Sequence, residues 1–171
     1  MLKDIAPGYR IRSLSKEEKA AAHKLSHDVR ELHDHEAALL RAYQRHLVHL
    51  GQRLRDSAPT TTNSSSNGSA VTVQSVRLSQ TAMAALRCMG ELLQALPHFN
   101  FRTNLVNAVV RAMCHSDAEL RAVAVKCVSG LFSRLSATQN GEAAKDAVSC
   151  LHTMTKNRMR QLRPEVRVLS H

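Results

Sequence analysis

The sequence contains very few aromatic residues. Only 3% of its 171 residues are aromatic, and tryptophan is absent. Proteins that read single-stranded RNA or DNA stack the bases on aromatic side chains, so this scarcity argues against base-specific nucleic-acid recognition. Two of the three phenylalanines nevertheless stand close together in the stretch ALPHFNFR, residues 95–102. That stretch is either a binding site or a buried corner between two helices.

The sequence also lacks the spacings typical of metal sites and disulfide frameworks. Its four cysteines form no Cys-x-x-Cys pair, and each stands among aliphatic residues at helical spacing. This arrangement predicts reduced, mostly buried thiols. Among the ten histidines, His23 and His27 share a predicted helix face, as do His46 and His49, but neither pair has a third ligand. We therefore expect no metal and no other cofactor.

Signatures of catalysis, secretion and membrane insertion are missing as well. The sequence has no glycine-rich phosphate loop, nucleophile elbow or HExxH motif. Its first residues contain no apolar signal-peptide region, and its apolar runs are short and interrupted by charge. We predict a soluble, intracellular protein that is not an enzyme, takes no small-molecule substrate and associates with no membrane.

The charge balance is strongly basic. The chain has 24 Lys and Arg residues against 14 Asp and Glu residues, a net charge of +10. Such a charge favours nucleic acids or acidic proteins as partners, although it is also compatible with a merely solvated surface. The basic residues near the end of the chain predict salt-sensitive, sequence-independent contacts to an RNA backbone. They are Lys156, Arg158, Arg160 and Arg163.

Hydrophobic periodicity predicts an all-α protein that begins with a long helix. After an extended basic lead-in over residues 1–14, a capping box formed by Ser15 and Glu18 starts a helix over 15–55. Its apolar stripe must be covered either by a later helix or by another protein, and we favour a partner surface. The stripe consists of Leu25, Val29, Leu32, Leu39, Tyr43, Leu47, Leu50 and Leu54.

A linker and a set of helix pairs are predicted to follow. Residues 56–74 are rich in Ser and Thr and typical of a flexible linker. Residues 75–171 carry helix pairs of the size of HEAT or armadillo units, with a second capping box at Ser116 and Glu119. The last residues are apolar and include no polar capping helix, so we interpret the solenoid as truncated.

The ALPHFNFR stretch is best explained as a corner between two of these helices. Its proline ends one helix, and Asn100 is expected to cap the next. Phe99 and Phe101 are expected to pack back onto neighbouring leucines. His98 and Arg102 then remain on the outside, where they are candidates for partner contacts.

Three stretches of the chain resemble the nucleolar complex protein 3 family: PGYRIRSLSKEEK, LSHDVRELHDHEAALLRAYQRHL and CMGELLQALPHFNFRTNLV. The resemblance covers most of residues 7–114, and the corner motif is its most specific part. It implies a nucleolar scaffold in maturation of the large ribosomal subunit, with nucleolar complex protein 2 and other pre-60S assembly factors as partners. It also implies chromatin association and a role in DNA replication initiation.

Together, the residues and the resemblance predict a non-catalytic assembly scaffold of the nucleus and nucleolus, in contact with partner proteins and pre-ribosomal RNA. The alternatives are a chromatin-binding factor in DNA replication initiation and a generic helical adaptor. The candidate partner-binding residues lie in the lead-in, the long helix and the corner. They are Tyr9, Arg10, Arg12, Leu25, Val29, Leu32, Leu39, Tyr43, His98 and Arg102.

Overall fold

The structure is a computed structural model that describes residues 6–21, 26–57, 68–133 and 141–158, with side chains described at all of these except 19, 68–78 and 157–158. Within these ranges the chain forms helices and no strands, which confirms the predicted all-α class. The helices are α1 Lys16–Ala21, α2 His27–Asp56, α3 Gly68–Ala95, α4 Arg102–Ala112, α5 Ala118–Ser133 and α6 Gly141–Arg158.

The long helix predicted over residues 15–55 is confirmed only in part, because α2 accounts for residues 27–56 and α1 is a separate helix. The capping box at the start of α1 is confirmed: Ser15 Oγ accepts from the Glu18 N–H at 3.1 Å, and Glu18 Oε2 accepts from the Ser15 N–H at 2.8 Å. Ser26 has extended backbone, with φ −59° and ψ 157°, and precedes α2 as its N-cap. Serine is one of the residues preferred at the N-cap position, and the acidic Asp28 in the first turn of α2 complements the helix dipole.

Helix α3 begins at Gly68, whereas the sequence predicted a start near Ser75. The helix therefore includes the stretch VTVQSV and the last part of the predicted linker 56–74. Helix propensities of β-branched and small polar residues are only some tenths of a kcal/mol poorer than average, so a long helix can extend across them. The other end agrees with the prediction, since α3 stops at Ala95, just before Pro97.

Helix α3 is central to the packing of the molecule. Both α2 and α5 pack chiefly against α3, while α4 packs chiefly against α6. The side chains between these layers form one apolar core, in which Leu86, Met89, Val109 and Leu120 are almost completely excluded from solvent. None of the described helices combines the length and the apolarity that a membrane span requires.

Helices α3 and α5 approach each other closely at Gly90. A Cβ added to Gly90 would lie 2.4 Å from the Sγ of Cys127 and 3.2 Å from its Cβ. No real Cβ approaches another side chain so closely, so the missing side chain of this glycine allows the two helices to pack at their observed distance.

The apolar stripe of α2 is covered mainly by its own chain. Our expectation of a partner surface is therefore wrong for its second half, because α3 presents an equally apolar face to it. Val29 and Leu32 at the start of α2 remain 38% and 52% exposed, and Leu25 lies outside the described residues. The covered members are buried or half-buried against the core: Leu39, Tyr43, Leu47, Leu50 and Leu54.

The cap of α5 differs from the predicted one. Asp117, not Ser116, precedes this helix, and its Oδ1 accepts a hydrogen bond from the Glu119 N–H at 2.9 Å. Its other carboxylate oxygen, Oδ2, accepts from the hydroxyl of Ser79 in α3 at 2.6 Å. This hydrogen bond is the main cause that lowers the pKa of Asp117. A tertiary contact thus selects one of two adjacent residues that can both cap a helix.

Candidate functional site: the lead-in docked at the aromatic corner

The corner between α3 and α4 is a packed aromatic cluster. Phe99 is only 2% exposed, and its ring centroid lies 5.2 Å from that of Tyr43 in α2. The ring of Phe101 lies 6.3 Å from Tyr43 in a tilted arrangement. Such tilted pairs contribute about 0.5–1.5 kcal/mol beyond the burial of their area. The expected packing of the two phenylalanines is confirmed, and Tyr43 is a third member that the sequence did not reveal.

The backbone of Phe101 is left-handed, with φ 63° and ψ 15°. It is the only residue other than glycine with a positive φ in the described part of the chain. This conformation costs about 1–2 kcal/mol for a side chain with a Cβ, so the surrounding packing must stabilise it. Phe101, rather than Asn100, takes the N-cap position of α4 and makes no side-chain cap hydrogen bond. The predicted cap at Asn100 is therefore wrong.

Asn100 instead binds the backbone of the lead-in. Its Oδ1 accepts from the Ile11 N–H at 2.9 Å, and its Nδ2 donates to the Ile11 carbonyl at 2.8 Å. One amide side chain thus satisfies both backbone groups of one residue, as a neighbouring strand would. Ile11 itself is 4% exposed and belongs to the core. The lead-in is therefore anchored by one buried side chain and a pair of backbone hydrogen bonds.

The contacts on either side of this anchor are exposed. The Tyr9 hydroxyl donates to Glu36 Oε1 in α2, and this hydrogen bond raises the pKa of the Tyr9 phenol. Arg12 forms an ion pair with Glu18, and the two side chains are 76% and 40% exposed. Exposed ion pairs contribute little to stability. Docking of the lead-in therefore depends mainly on Ile11 and its Asn100 clamp.

Two residues of the corner that were predicted to face outward, His98 and Arg102, are partly buried instead. The guanidinium of Arg102 turns towards α6, where Nε lies 2.9 Å from Asp146 Oδ2 and Nη1 lies 2.9 Å from Glu142 Oε2. Its side chain is only 18% exposed, because α6 returns beside the corner. His98 is half-buried, and its Nε2 is buried without a hydrogen-bond partner among the described residues.

The predicted RNA-binding residues are only partly within the described chain. Lys156 is exposed near the end of α6. The side chain of Arg158 and the whole of Arg160 and Arg163 lie outside the described residues. Sequence-independent RNA contact by this group remains a prediction.

The cysteine thiols are half-buried and unpaired with one another. Desolvation by burial raises the pKa of the thiols of Cys88, Cys127 and Cys150, which disfavours the nucleophilic thiolate. In the described ranges, no three His, Cys, Asp or Glu side chains come together in a way that would hold a metal ion.

The fold and the docked lead-in define an all-helical protein whose candidate site is a lead-in segment held at an aromatic corner. The family model of nucleolar complex-associated protein matches residues 1–46, which include the lead-in, α1 and the part of α2 that ends at His46. The nucleolar complex protein 3 homolog of Danio rerio is 34% identical over 97% of this chain and 20% of its own length. The chain belongs to the nucleolar complex protein 3 family.

Similar relatives occur in plants and fungi. Nucleolar complex-associated protein 3 of Arabidopsis thaliana is 32% identical over 96% of this chain and 17% of its own length. The protein of the same name from Saccharomyces cerevisiae is 27% identical over 92% of this chain and 21% of its own length. The chain thus spans about a fifth of the length of the curated relatives it matches. Their names confirm the nucleolar localisation that the resemblance predicted.

Proposed function

We propose that this chain is part of a non-catalytic assembly scaffold in the biogenesis of the large ribosomal subunit. The observation that carries the proposal is its similarity, over nearly its whole length, to proteins named nucleolar complex protein 3 in animals, plants and fungi. Burial raises the pKa of the Cys88, Cys127 and Cys150 thiols, which agrees with a structural role for these side chains. Nucleolar complex protein 2 and other pre-60S assembly factors are the proposed partners.

The helix packing supports a repeat architecture for this scaffold. In a HEAT-like solenoid, the first helices of successive pairs stack in one layer and the second helices in another. The contacts of α3 with α5 and of α4 with α6 follow this rule. We propose that the pairs α3/α4 and α5/α6 are units of such a solenoid, with α2 covering the outer side of α3.

The proposed partner surface begins at the exposed start of α2. Val29 and Leu32 are 38% and 52% exposed, whereas the rest of the described stripe is packed on α3. Tyr9 in the lead-in is also 52% exposed. Exposed aliphatic side chains one helical turn apart, on a helix that also holds an exposed tyrosine through Glu36, are typical of a surface that a partner protein covers.

Sedimentation of the full-length protein tests the proposal. We expect a tagged protein to co-sediment with pre-large-subunit particles, and the double variant Val29→Asp with Leu32→Asp to leave them. The matched control is Val148→Asp, since Val148 is 54% exposed on the surface of α6. A protein absent from these particles in low salt but retained on chromatin would contradict the proposal and favour the replication role.

A second experiment addresses RNA contact. Reversing the charges of Arg158, Arg160 and Arg163 together is expected to weaken RNA retention and to flatten its salt dependence, because fewer counterions are released on binding. Reversal of Arg45, Arg53 and Arg87, which are exposed on α2 and α3 outside the groove lining, is the matched control and should leave RNA retention unchanged. Unchanged retention and an unchanged salt slope in the first variant would remove RNA contact from the proposed function.

A further inference from the structure

A groove follows one face of α2 and passes the aromatic corner. The lead-in borders its first half, where residues 11–14 lie opposite Leu40 and Arg41. Gln44 and Phe101 line this half and also the next one, so the groove continues beyond the corner. Its second half, which we call the open half, runs between α2 and α4 and is not bordered by the lead-in.

The open half has an apolar floor and an apolar rim. Met89 of α3 and Leu105 of α4 lie at its base and are 2% and 4% exposed. Val48 of α2 stands on its rim and is 50% exposed, and Ala108 lines the opposite wall. The cavity has a volume of about 250 Å³. That volume is below the 300–1,000 Å³ typical of small-molecule sites, and it suits a few apolar side chains of another protein.

The half of the groove next to the lead-in is lined by Glu36 as well as by arginines, whereas the charge that lines the open half is positive. Arg41 borders the half next to the lead-in, and Arg55 lies at the far end of the open half. A Cβ on Gly51 would lie 3.5 Å from Nη1 of Arg55, so the guanidinium extends over this glycine and along the groove. None of the side chains that line the open half is acidic. Arg41 and Arg55 have no ion-pair partner among the described residues.

These features together define a partner chemistry. The docked lead-in shows that this groove accepts a chain with an aliphatic anchor, since Ile11 is buried at the corner. The open half offers an apolar floor for further anchors, and Arg55 at its far end, together with Arg41 in the adjacent half, complements carboxylates. Single-stranded nucleic acid fits less well, because Phe101 is the one ring that lines the open half and it is half-buried against Tyr43.

We propose that the open half of the groove docks an acidic amphipathic segment of a partner protein, with its apolar side chains on the floor between α2 and α4 and its carboxylates near Arg41 and Arg55. The inference adds a binding surface to the scaffold role proposed above. It rests on that role only in naming the partner as an assembly factor. Docking of an amphipathic segment into a groove between helices is a recurring mode of recognition.

Fluorescence anisotropy with a synthetic peptide tests this proposal. The probe is a fluorescein-labelled peptide with leucines at helical period and glutamates at the remaining positions, and a second peptide carries lysine in place of each glutamate. We expect the acidic peptide to bind the whole chain and the basic peptide not to bind. Val48→Asp and Arg55→Glu are each expected to weaken binding by about tenfold or more, as for residues central to an interface.

Two matched variants control for surface position. Val148→Asp changes a valine of similar exposure on α6, and Arg53→Glu reverses an exposed charge of α2 outside the groove lining. Both are expected to leave peptide binding unchanged. Circular dichroism shows whether each variant is folded before it is compared.

Several results would overturn the proposal. They are no binding of the acidic peptide, equal binding of the basic peptide, equal loss in the two control variants, or displacement of the peptide by a single-stranded uridine oligonucleotide whose binding also needs Val48. Failure here leaves the proposed function intact, because co-sedimentation of the unmodified full-length protein with pre-large-subunit particles is measured independently.

Discussion

Replacement of Asn100 by alanine tests whether the side-chain clamp holds the lead-in. The substitution removes both hydrogen bonds to Ile11, at 2.9 Å and 2.8 Å. A hydrogen bond contributes about 1 kcal/mol net, so the docked state should lose about 2 kcal/mol. Burial of the Ile11 side chain, worth about 1.5–3 kcal/mol, is retained. We therefore expect a lead-in that still docks but opens about 30 times more often.

Limited proteolysis measures this opening directly. Trypsin cleaves after arginine, and the bonds after Arg10 and Arg12 flank the anchored Ile11. Where opening is fast relative to cleavage, the rate follows the population of the open form. Cleavage at these two bonds, followed by mass spectrometry, should accelerate by about 30-fold in Asn100→Ala. Asn104→Ala, at an exposed position of α4, should leave the rate unchanged.

The outcome that refutes this reasoning is equally specific. An Asn100→Ala protein that is cleaved after Arg10 and Arg12 at the original rate would mean that the two hydrogen bonds do not hold the lead-in. A rate increase of the same size at every trypsin site would mean global destabilisation. In that case the clamp would stabilise the whole fold, and the lead-in would have no separate opening step.

Three further predictions concern the core. Asp117→Ala should lower the free energy of unfolding by about 1–2 kcal/mol in urea, whereas Ser116→Ala should change it little; the reverse order would contradict the observed cap. Gly90→Ala should lower the free energy of unfolding by about 1–3 kcal/mol, and adding Cys127→Ala should recover part of this loss. If the effects of the two substitutions on the free energy of unfolding were simply additive, the two side chains would not clash. Burial raises the pKa of Tyr43 to about 12, so its phenolate absorbance should appear near that pH in a variant that lacks the other tyrosine. The free energy of unfolding should fall as the pH rises from about 10 through 12, because the unfolded state loses this proton first. Ionisation of Tyr43 near pH 10 would contradict its burial.

The helices and some of their ends could be predicted because they depend on neighbouring residues. The capping box of Ser15 and Glu18 joins residues three positions apart, and Pro97 stops α3 by its own geometry. The break at Ser26 was missed, because the apolar period continues across it and only the backbone reveals the non-helical residue. The early start of α3 was missed because intrinsic propensity is a weak guide within a long helix.

The candidate site could be predicted only in part. The corner motif and the lead-in were both recognised as specific stretches, but they are far apart in sequence, and nothing local indicates that they meet. Asn100 has the residue type of a helix cap, yet its amide binds Ile11, 89 positions away. Arginine is a residue type that is usually exposed, yet Arg102 is mostly buried because α6 supplies its two carboxylate partners.

The sequence by itself determined the helical class, the basic charge and the family, because periodicity, composition and motif similarity are properties of the chain as written. Only the tertiary structure decided which polar groups pair and which apolar faces stay open. Ser79 selects Asp117 as the cap of α5, and α3 covers the second half of the α2 stripe. Short-range preferences are nearly degenerate for such residues, so the partner that the fold brings within hydrogen-bonding or packing distance decides their role.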